Sequence, residues 1–386
     1  MKFPLLALPP AALALTALPL AVLAPAVLAL AAPSAALAGG LEKSGQPVTL
    51  LFEKGDVVNL ELAYGMPTVT GTDSLGNGSD DSAEDFLRYG GGVKMDFNEK
   101  WSAALIIDEP YGADLAYAPS DFAFGGAFAD FHSIAATGLL RYRINGNFSL
   151  HGGLRLARFG GDAATEGAAY GPLSGYSFEG DDDWGLGLVV GAAYEIPEKA
   201  LRIALTFSSA IDFELDSRET FPDAAGGRTV AGTTPISMPR SINLDFQTGI
   251  APRTLLFGSM RWTNYEGWEV RAPGLAENFD AILASKDYNI WNYKLGIGHQ
   301  FNAHWAGAAH VVYEPAIGKT LGPLNPTDGA FGLGAGASYT TDSGVRISGG
   351  VEYRRLGSSD IQGPLASADF RDNDALGIGL SITAPF

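Results

Sequence analysis

Along most of this chain apolar residues alternate one by one with small or polar ones. That two-residue period belongs to β-strands with unlike faces. In Leu376–Phe386 the even positions are Leu376, Ile378, Leu380, Ile382, Ala384 and Phe386, and the odd ones Gly377, Gly379, Ser381, Thr383 and Pro385. Phe148, Leu150, Leu154 and Leu156 alternate with Ser149, His151, Gly153, Arg155 and Ala157. Leu201, Ile203, Leu205, Phe207, Ile211 and Phe213 read as one greasy face opposite Arg202, Ala204, Thr206, Ser208, Ala210, Asp212 and Glu214. In Trp184–Ile196 the apolar face falls on the even positions and includes Leu186 and Leu188.

Fourteen such runs are predicted, near 56–70, 85–97, 101–108, 128–144, 148–158, 184–196, 201–214, 241–250, 254–265, 289–301, 304–314, 330–340, 345–356 and 375–386. Their connections alternate in length. Tight ones such as Asn98-Glu99-Lys100, Asn145-Gly146-Asn147 and Pro197-Glu198-Lys199 use residues suited to turns. Between them lie long polar or Gly/Pro-rich stretches at 71–84, 109–127, 159–183, 215–240, 266–288, 315–329 and 357–374. An even number of strands, with short turns at one end and long loops at the other, defines a transmembrane barrel. A soluble sandwich has no reason to keep that order. A final strand with a greasy face that ends on an aromatic looks like the closing strand of bacterial outer-membrane barrels. Lipid offers no hydrogen bonds, so every strand edge must then be paired. The expected fold is all-β: a 14-stranded antiparallel transmembrane β-barrel of the bacterial outer membrane over residues 56–386. Trp101, Trp184, Trp291, Trp305, Tyr194, Tyr313 and Tyr353 fall near strand ends, as interfacial girdles do.

The N-terminus supports export. Met1-Lys2 precedes an apolar run broken by Pro4, Pro9, Pro10, Pro19 and Pro25, and Ala36-Leu37-Ala38 stands before Gly39-Gly40. Residues 1–38 therefore read as a signal peptide cleaved after Ala38. Both termini of an even-stranded barrel lie at the short-turn end, which is expected to be periplasmic. The absence of cysteine excludes a lipid-anchored N-terminus, disulfides and thiolate metal sites. With 43 acidic against 25 basic residues, one of the latter being Lys2 in the leader, the chain lacks the basic excess of a nucleic-acid binder.

No catalytic or cofactor motif stands out, and neither enzyme activity, a cofactor nor a bound metal is expected. The five histidines show no H-E-x-x-H spacing, and no Gly-x-Ser-x-Gly elbow is present. His304 and His310 share a strand face but make a poor metal site. Asp181-Asp182-Asp183 and the acidic stretch 80–85 fall in or beside loops, where they are solvated or hold a divalent ion against lipopolysaccharide.

Several segments carry a family resemblance. Asp108-Glu109-Pro110-Tyr111-Gly112-Ala113-Asp114 follows the third run, and Leu154–Asp162 reads Leu-Arg-Leu-Ala-Arg-Phe-Gly-Gly-Asp. Arg261-Trp262 is followed by Tyr265 and Trp268. Trp291–Gly298, His304-Trp305, Val312–Pro315 and Pro326–Gly329 then come in order before Tyr353. This arrangement resembles the FadL-type outer-membrane transporters of long-chain fatty acids and aromatic hydrocarbons, over essentially the whole chain after the leader. The resemblance implies fourteen strands, passive uptake of a hydrophobic small molecule, insertion by the barrel assembly machinery, and contact with outer-membrane lipid and lipopolysaccharide.

The chain departs from that family at its start. Family members carry a lumen-plugging hatch with an Asn-Pro-Ala motif; here only residues 39–55 precede the first run, and that motif is absent. Ser44-Gly45-Gln46 and the candidate gate Leu50, Leu51 and Phe52 form either a reduced plug or an untethered tail. The family's gating and its lateral exit into the membrane are therefore open for this chain.

A fatty acid needs an apolar slot and a few convergent polar groups. Arg155 is expected to point inward, with Arg158 and Phe159 at the loop end of the same run, in the segment resembling the family's ligand-facing strand. Lys94, Lys294 and Arg346 also fall on polar faces. The alternative is that these belong to the ordinary lumen charge lattice with Asp245, Glu314 and Glu352. Tyr117–Phe131 and Ala276–Leu283 are apolar enough to catch a greasy solute outside the barrel. The functional reading is an uptake channel for hydrophobic compounds. A general diffusion porin for small polar solutes is the alternative and needs an open lumen; a barrel enzyme would need a nucleophile and base that are not visible.

Overall fold

The computed structural model describes residues 41–386; the expected leader and its cleavage point lie outside the described residues. The alternating runs form a closed antiparallel barrel of fourteen strands. They are β1 (Val57–Thr68), β2 (Phe86–Asp96), β3 (Trp101–Asp108), β4 (Phe128–Arg143), β5 (Phe148–Thr165) and β6 (Tyr176–Ile196). β7 runs Leu201–Ser208 and resumes at Ile211–Thr220, and β8 runs Thr229–Met238 and resumes at Ser241–Ala251. The rest are β9 (Thr254–Asn264), β10 (Asn289–Gln300), β11 (Trp305–Glu314), β12 (Ala330–Thr340), β13 (Arg346–Leu356) and β14 (Asp374–Pro385). β14 closes on β1 from Val57↔Pro385 to Thr68↔Asp374, so the sheet returns on itself. No helix among the described residues is long and apolar enough to cross a membrane.

The faces follow the alternation. Leu376, Ile378, Leu380 and Ile382 point out, as do Leu150, Leu154, Leu186, Leu188, Ile203 and Leu205. Ser149, His151, Arg155, Arg202 and Thr206 point in and are buried. Aromatics pair in two belts. Trp101 meets Tyr142, Phe148 meets Tyr194 and Trp305 meets Tyr339 at the short-turn end, whereas Trp262, Trp291, Tyr293 and Tyr313 form a run near the loop end.

The alternation inverts toward the long-loop end, and here the sequence expectation fails. Ile211 and Phe213 continue the odd-numbered series of Leu201–Phe207, yet they are buried inside the barrel while Asp212 and Glu214 face out. The interruption at Ser209-Ala210 is the cause. An extra residue in a strand turns every following side chain to the other face, and Ser209 Oγ accepts the N–H of Leu188 there. β6 makes the same switch between Gly180 and Asp183, where its register with β5 shifts. β8 makes it at Pro239-Arg240, between its two pieces. Beyond the switch the strands are charged outside and apolar inside, as suits a wall standing in water. The stretches 159–183 and 215–240 are therefore largely strand extensions and not loops. Asp182 and Asp183 sit in the β6 irregularity. Asp182 pairs with His132 at 3.0 Å and with Arg158, and Asp183 accepts the Glu214 N–H at 2.8 Å.

This upper storey holds the largest apolar core, including Phe131, Phe159, Phe178, Phe213, Leu215, Met238 and Trp268. A second core lies under the loops. Phe122 meets Phe370 and Phe124 meets Tyr170 edge to face, Tyr117 lies tilted against Phe122, Phe124 and Phe370, and Tyr117 Oη donates to the Pro323 carbonyl at 2.6 Å. Tyr117, Phe122 and Phe124, in the first of the two stretches expected to catch solute outside, are thus folded inward, whereas Phe279 and Ile282 of the second stay exposed. Asp73 ties two of these loops together by accepting the N–H groups of Leu75, Asn77 and Ala123 and the side-chain amide of Asn77. Asp73→Ala should cost the loop cap about 1.5–3 kcal/mol, the worth of a hydrogen bond to a charged group. Faster proteolysis within residues 71–127 of the folded protein, with strands intact, would show it; an unchanged rate would refute the assigned role.

Candidate functional site: the plugged lumen

Residues 41–55 enter the barrel and are held there by its wall. Leu41–Ser44 lies antiparallel along the segment following β3, with one β-bridge at Glu42↔Tyr111. Lys43 N donates to the Pro110 carbonyl at 3.0 Å and Gly112 N to that of Leu41 at 2.8 Å. The Lys43 ammonium sits 2.5 Å from Asp114, and Ser44 Oγ donates to Asp108 at 2.7 Å. A single 3₁₀ turn follows, Thr49–Phe52, with Leu51 and Phe52 buried. The segment is therefore seated in the lumen and is not an untethered tail.

Five inward arginines from five strands converge on it. Arg261 of β9 grips the Glu42 carboxylate, which Thr263 Oγ1 also reaches at 3.0 Å. Arg155 of β5 donates to Gln46 Oε1 and, through Nε, to Thr137 Oγ1 at 2.9 Å. Arg346 of β13 meets Glu53 at 2.9 Å. Arg141 of β4 and Arg202 of β7 sandwich the Phe52 ring, their guanidinium carbons 4.5 and 4.8 Å from its centroid. His151 approaches the same ring edge-on. Lys94 donates to the Gly55 carbonyl at 2.8 Å and pairs with Asp96.

Beside the segment lies a cavity of about 290 Å³. Leu50, Phe52, Arg88, Asp245, Lys294 and Arg354 are among its walls. Arg88 and Lys294 line it without a carboxylate within ion-pair distance among the described residues. Below Arg354 the Glu352 carboxylate, fully buried, is held by Arg354 Nε at 2.7 Å and His310 Nε2 at 2.6 Å.

The cavity reaches the inner face of a break in the wall. β2 pairs with β1 up to Phe86, but its ladder with β3 stops at Gly91↔Ile107. Beyond Asp108 the chain bulges, and residues 109–112 stand opposite only 132–134 before pairing resumes at Ala113↔Phe131. Pro110 cannot donate to a ladder, and the plug residues Leu41–Lys43 take up part of the free edge of this bulge. On the β2 side, Gly91 has a φ of +154°, and an added Cβ would sit 2.3 Å from the Asn59 carbonyl, so only glycine fits there.

The residues singled out from sequence therefore divide. Lys294 and Arg346 line the cavity, with Leu50 and Phe52 of the plug. Lys94 and Arg155 face inward but are engaged by plug residues, and Arg155 does not line the cavity. Leu51 is fully buried under the plug. Phe159 lies in the upper apolar core, stacked on Phe131. Arg158 cannot help Arg155: three residues on, in a strand of period two, its side chain faces the other way, outward to Asp182. Sequence reasoning passed over Glu42, Arg88, Arg141, Arg202 and Arg261 as site residues. The inward parity of Arg202 and Arg261 was readable; their convergence on one segment was not. Outside the spanning strands, Lys286 lies near the Tyr265 and Tyr288 rings, and burial lowers its amine to about 8.

A closed fourteen-stranded barrel with a lipid-facing apolar surface and a plugged, charged lumen defines an outer-membrane transport protein. The chain belongs to the family described as outer membrane protein transport protein (OMPP1/FadL/TodX), whose profile matches residues 59–383. A long-chain fatty acid transport protein of Salmonella typhi is 23% identical over 260 residues, a match covering 58% of this chain and 59% of that protein. The Escherichia coli K12 protein of the same name is 21% identical over 201 residues, covering 47% and 45%. The chain thus spans about half the length of these relatives. The crystal structure of a Pseudomonas aeruginosa FadL homologue superposes with a TM-score of 0.74 at 16% identity, covering 91% of this chain and 96% of that one. For the Pseudomonas putida toluene transporter TodX the TM-score is 0.62 at 14% identity, covering 89% and 93%. These likenesses concern the fold.

Proposed function

We propose that this protein is a passive outer-membrane uptake channel for hydrophobic compounds, long-chain fatty acids or aromatic hydrocarbons, with a cleaved leader and periplasmic termini. The observation that carries the reading is the lumen itself. It is occupied by residues 41–55, and its loop end is filled by an apolar core, which suits a greasy solute and opposes the open water path of a diffusion porin. The names of the relatives, fatty acid and toluene transporters, support the substrate class. The break between β2 and β3, edged on its inner side by the plug, would give such a solute a route from the cavity toward lipid.

An ionised fatty acid would place its carboxylate near Arg88 and Lys294, two cavity cations without a direct ionic partner among the described residues. Arg88→Ala should then slow uptake of a labelled long-chain fatty acid by roughly tenfold to a hundredfold, one charge-assisted contact of about 1.5–3 kcal/mol. Uptake of toluene by the same cells should change little. Equal losses for both would assign Arg88 a structural role. Failure of the wild-type protein to raise uptake of either compound above that of cells lacking it would remove the proposed function.

A further inference from the structure

The wall arginines that hold the plug have an unusual set of partners. Arg141 has a carboxylate of the wall, Glu195. The other four do not. Within the wall Arg155 meets the Thr137 hydroxyl, Arg261 the Asn243 amide oxygen at 2.5 Å, and Arg346 the Thr383 hydroxyl at 3.4 Å. Among the described residues Arg202 has no carboxylate within ion-pair distance; the acidic groups that act on it are Asp245 of the wall and Glu53 of the plug. Their ionic or polar cover comes from the plug: Glu42, Gln46, Phe52 and Glu53. Of the other lumen cations nearby, Lys94 keeps Asp96 and Arg354 keeps Glu352, whereas Arg88 and Lys294 face the cavity.

We propose that these four arginines form an anion path that the plug masks, so that the lumen, once the plug loosens, passes small monovalent anions and carboxylates in preference to cations. A guanidinium stays charged at any physiological pH. Several of them on the inside of a narrow, low-dielectric wall focus the field and concentrate counter-ions. Basic rings of this kind select anions in other pores. The outside of the upper wall is acidic, with Asp212, Glu214 and Asp216 facing water, so the selectivity of the lumen is opposite in sign to the charge of the chain as a whole. Glu42 and Glu53 then act as tethered anions: each occupies a position that a free carboxylate could take. The inference goes beyond hydrophobic uptake and concerns ion preference, which is measured without any hydrophobic substrate and so can fail independently of that reading.

The test is conductance of the full-length protein in planar lipid bilayers under a potassium chloride gradient. Wild type should be nearly closed. The variant Glu42→Gln/Phe52→Ala/Glu53→Gln keeps the chain length but loses the grip, and should open often, chloride permeating severalfold faster than potassium. Adding Arg261→Gln and Arg346→Gln to it should shift the reversal potential back toward no preference. If the triple variant fails to fold, Glu53→Gln alone, which keeps the Glu42 contact, should show rarer openings of the same sign. Openings that favour potassium, a preference unaltered by the arginine substitutions, or a lumen as closed as wild type in both variants would overturn the proposal.

Discussion

Glu42→Ala is expected to unseat the plug. Its carboxylate is fully buried and accepts from Arg261 and Thr263, while Arg261 has only Asn243 as a wall partner. Removing one member of a buried pair leaves the other charge stranded, at a cost of about 3–5 kcal/mol. The neighbouring contacts of Lys43, Ser44 and Gln46 depend on the same short stretch of chain, so they should loosen with it. The expected readout is cleavage of residues 41–55 by a protease added from the short-turn side of the folded barrel, at a rate far above wild type. Arg261→Ala should act the same way, since it strands Glu42 instead. Full protection in both variants would mean that the plug is held by its apolar residues Val48, Leu51 and Phe52 alone.

Leu188→Arg is expected to destabilise the barrel by about 2–4 kcal/mol, the cost of a basic side chain on the lipid face at mid-membrane depth. Leu188 lies opposite Leu154 on β5 and points outward. The informative control is Glu214→Arg, also outward but beyond the switch at Ser209-Ala210. It replaces one solvated charge by another and should stay within about 0.5 kcal/mol. Reversible unfolding in lipid vesicles separates the two. Equal destabilisation at both sites would contradict the assigned height of the membrane, and none at Leu188 would contradict the assigned face.

The barrel was legible because its signal is repeated. Each strand is weak evidence, but alternation in fourteen runs, with connections of alternating length, leaves few other ways to satisfy every strand edge. What failed did so at single residues. Ser209-Ala210, Asp181-Asp182 and Pro239-Arg240 each reset the facing of the strand that follows, and nothing in a two-residue period marks an inserted residue. Ile211 and Phe213 were consequently placed toward lipid although they fill the upper core. The inward direction of Arg155 followed from parity, but its partner Gln46 stands 109 residues earlier. A contact of that range depends on where the plug folds back, which no local pattern specifies. Arg158 was misassigned because nearness in sequence was taken for nearness in space.

The most direct test of the whole account is a liposome assay on the purified wild-type protein, comparing entry of a small sugar with entry of a long-chain fatty acid. A lumen filled by residues 41–55 predicts that the fatty acid reaches the interior faster than in protein-free vesicles while the sugar does not. Free passage of the sugar through the wild-type barrel would show an open water path and contradict the account.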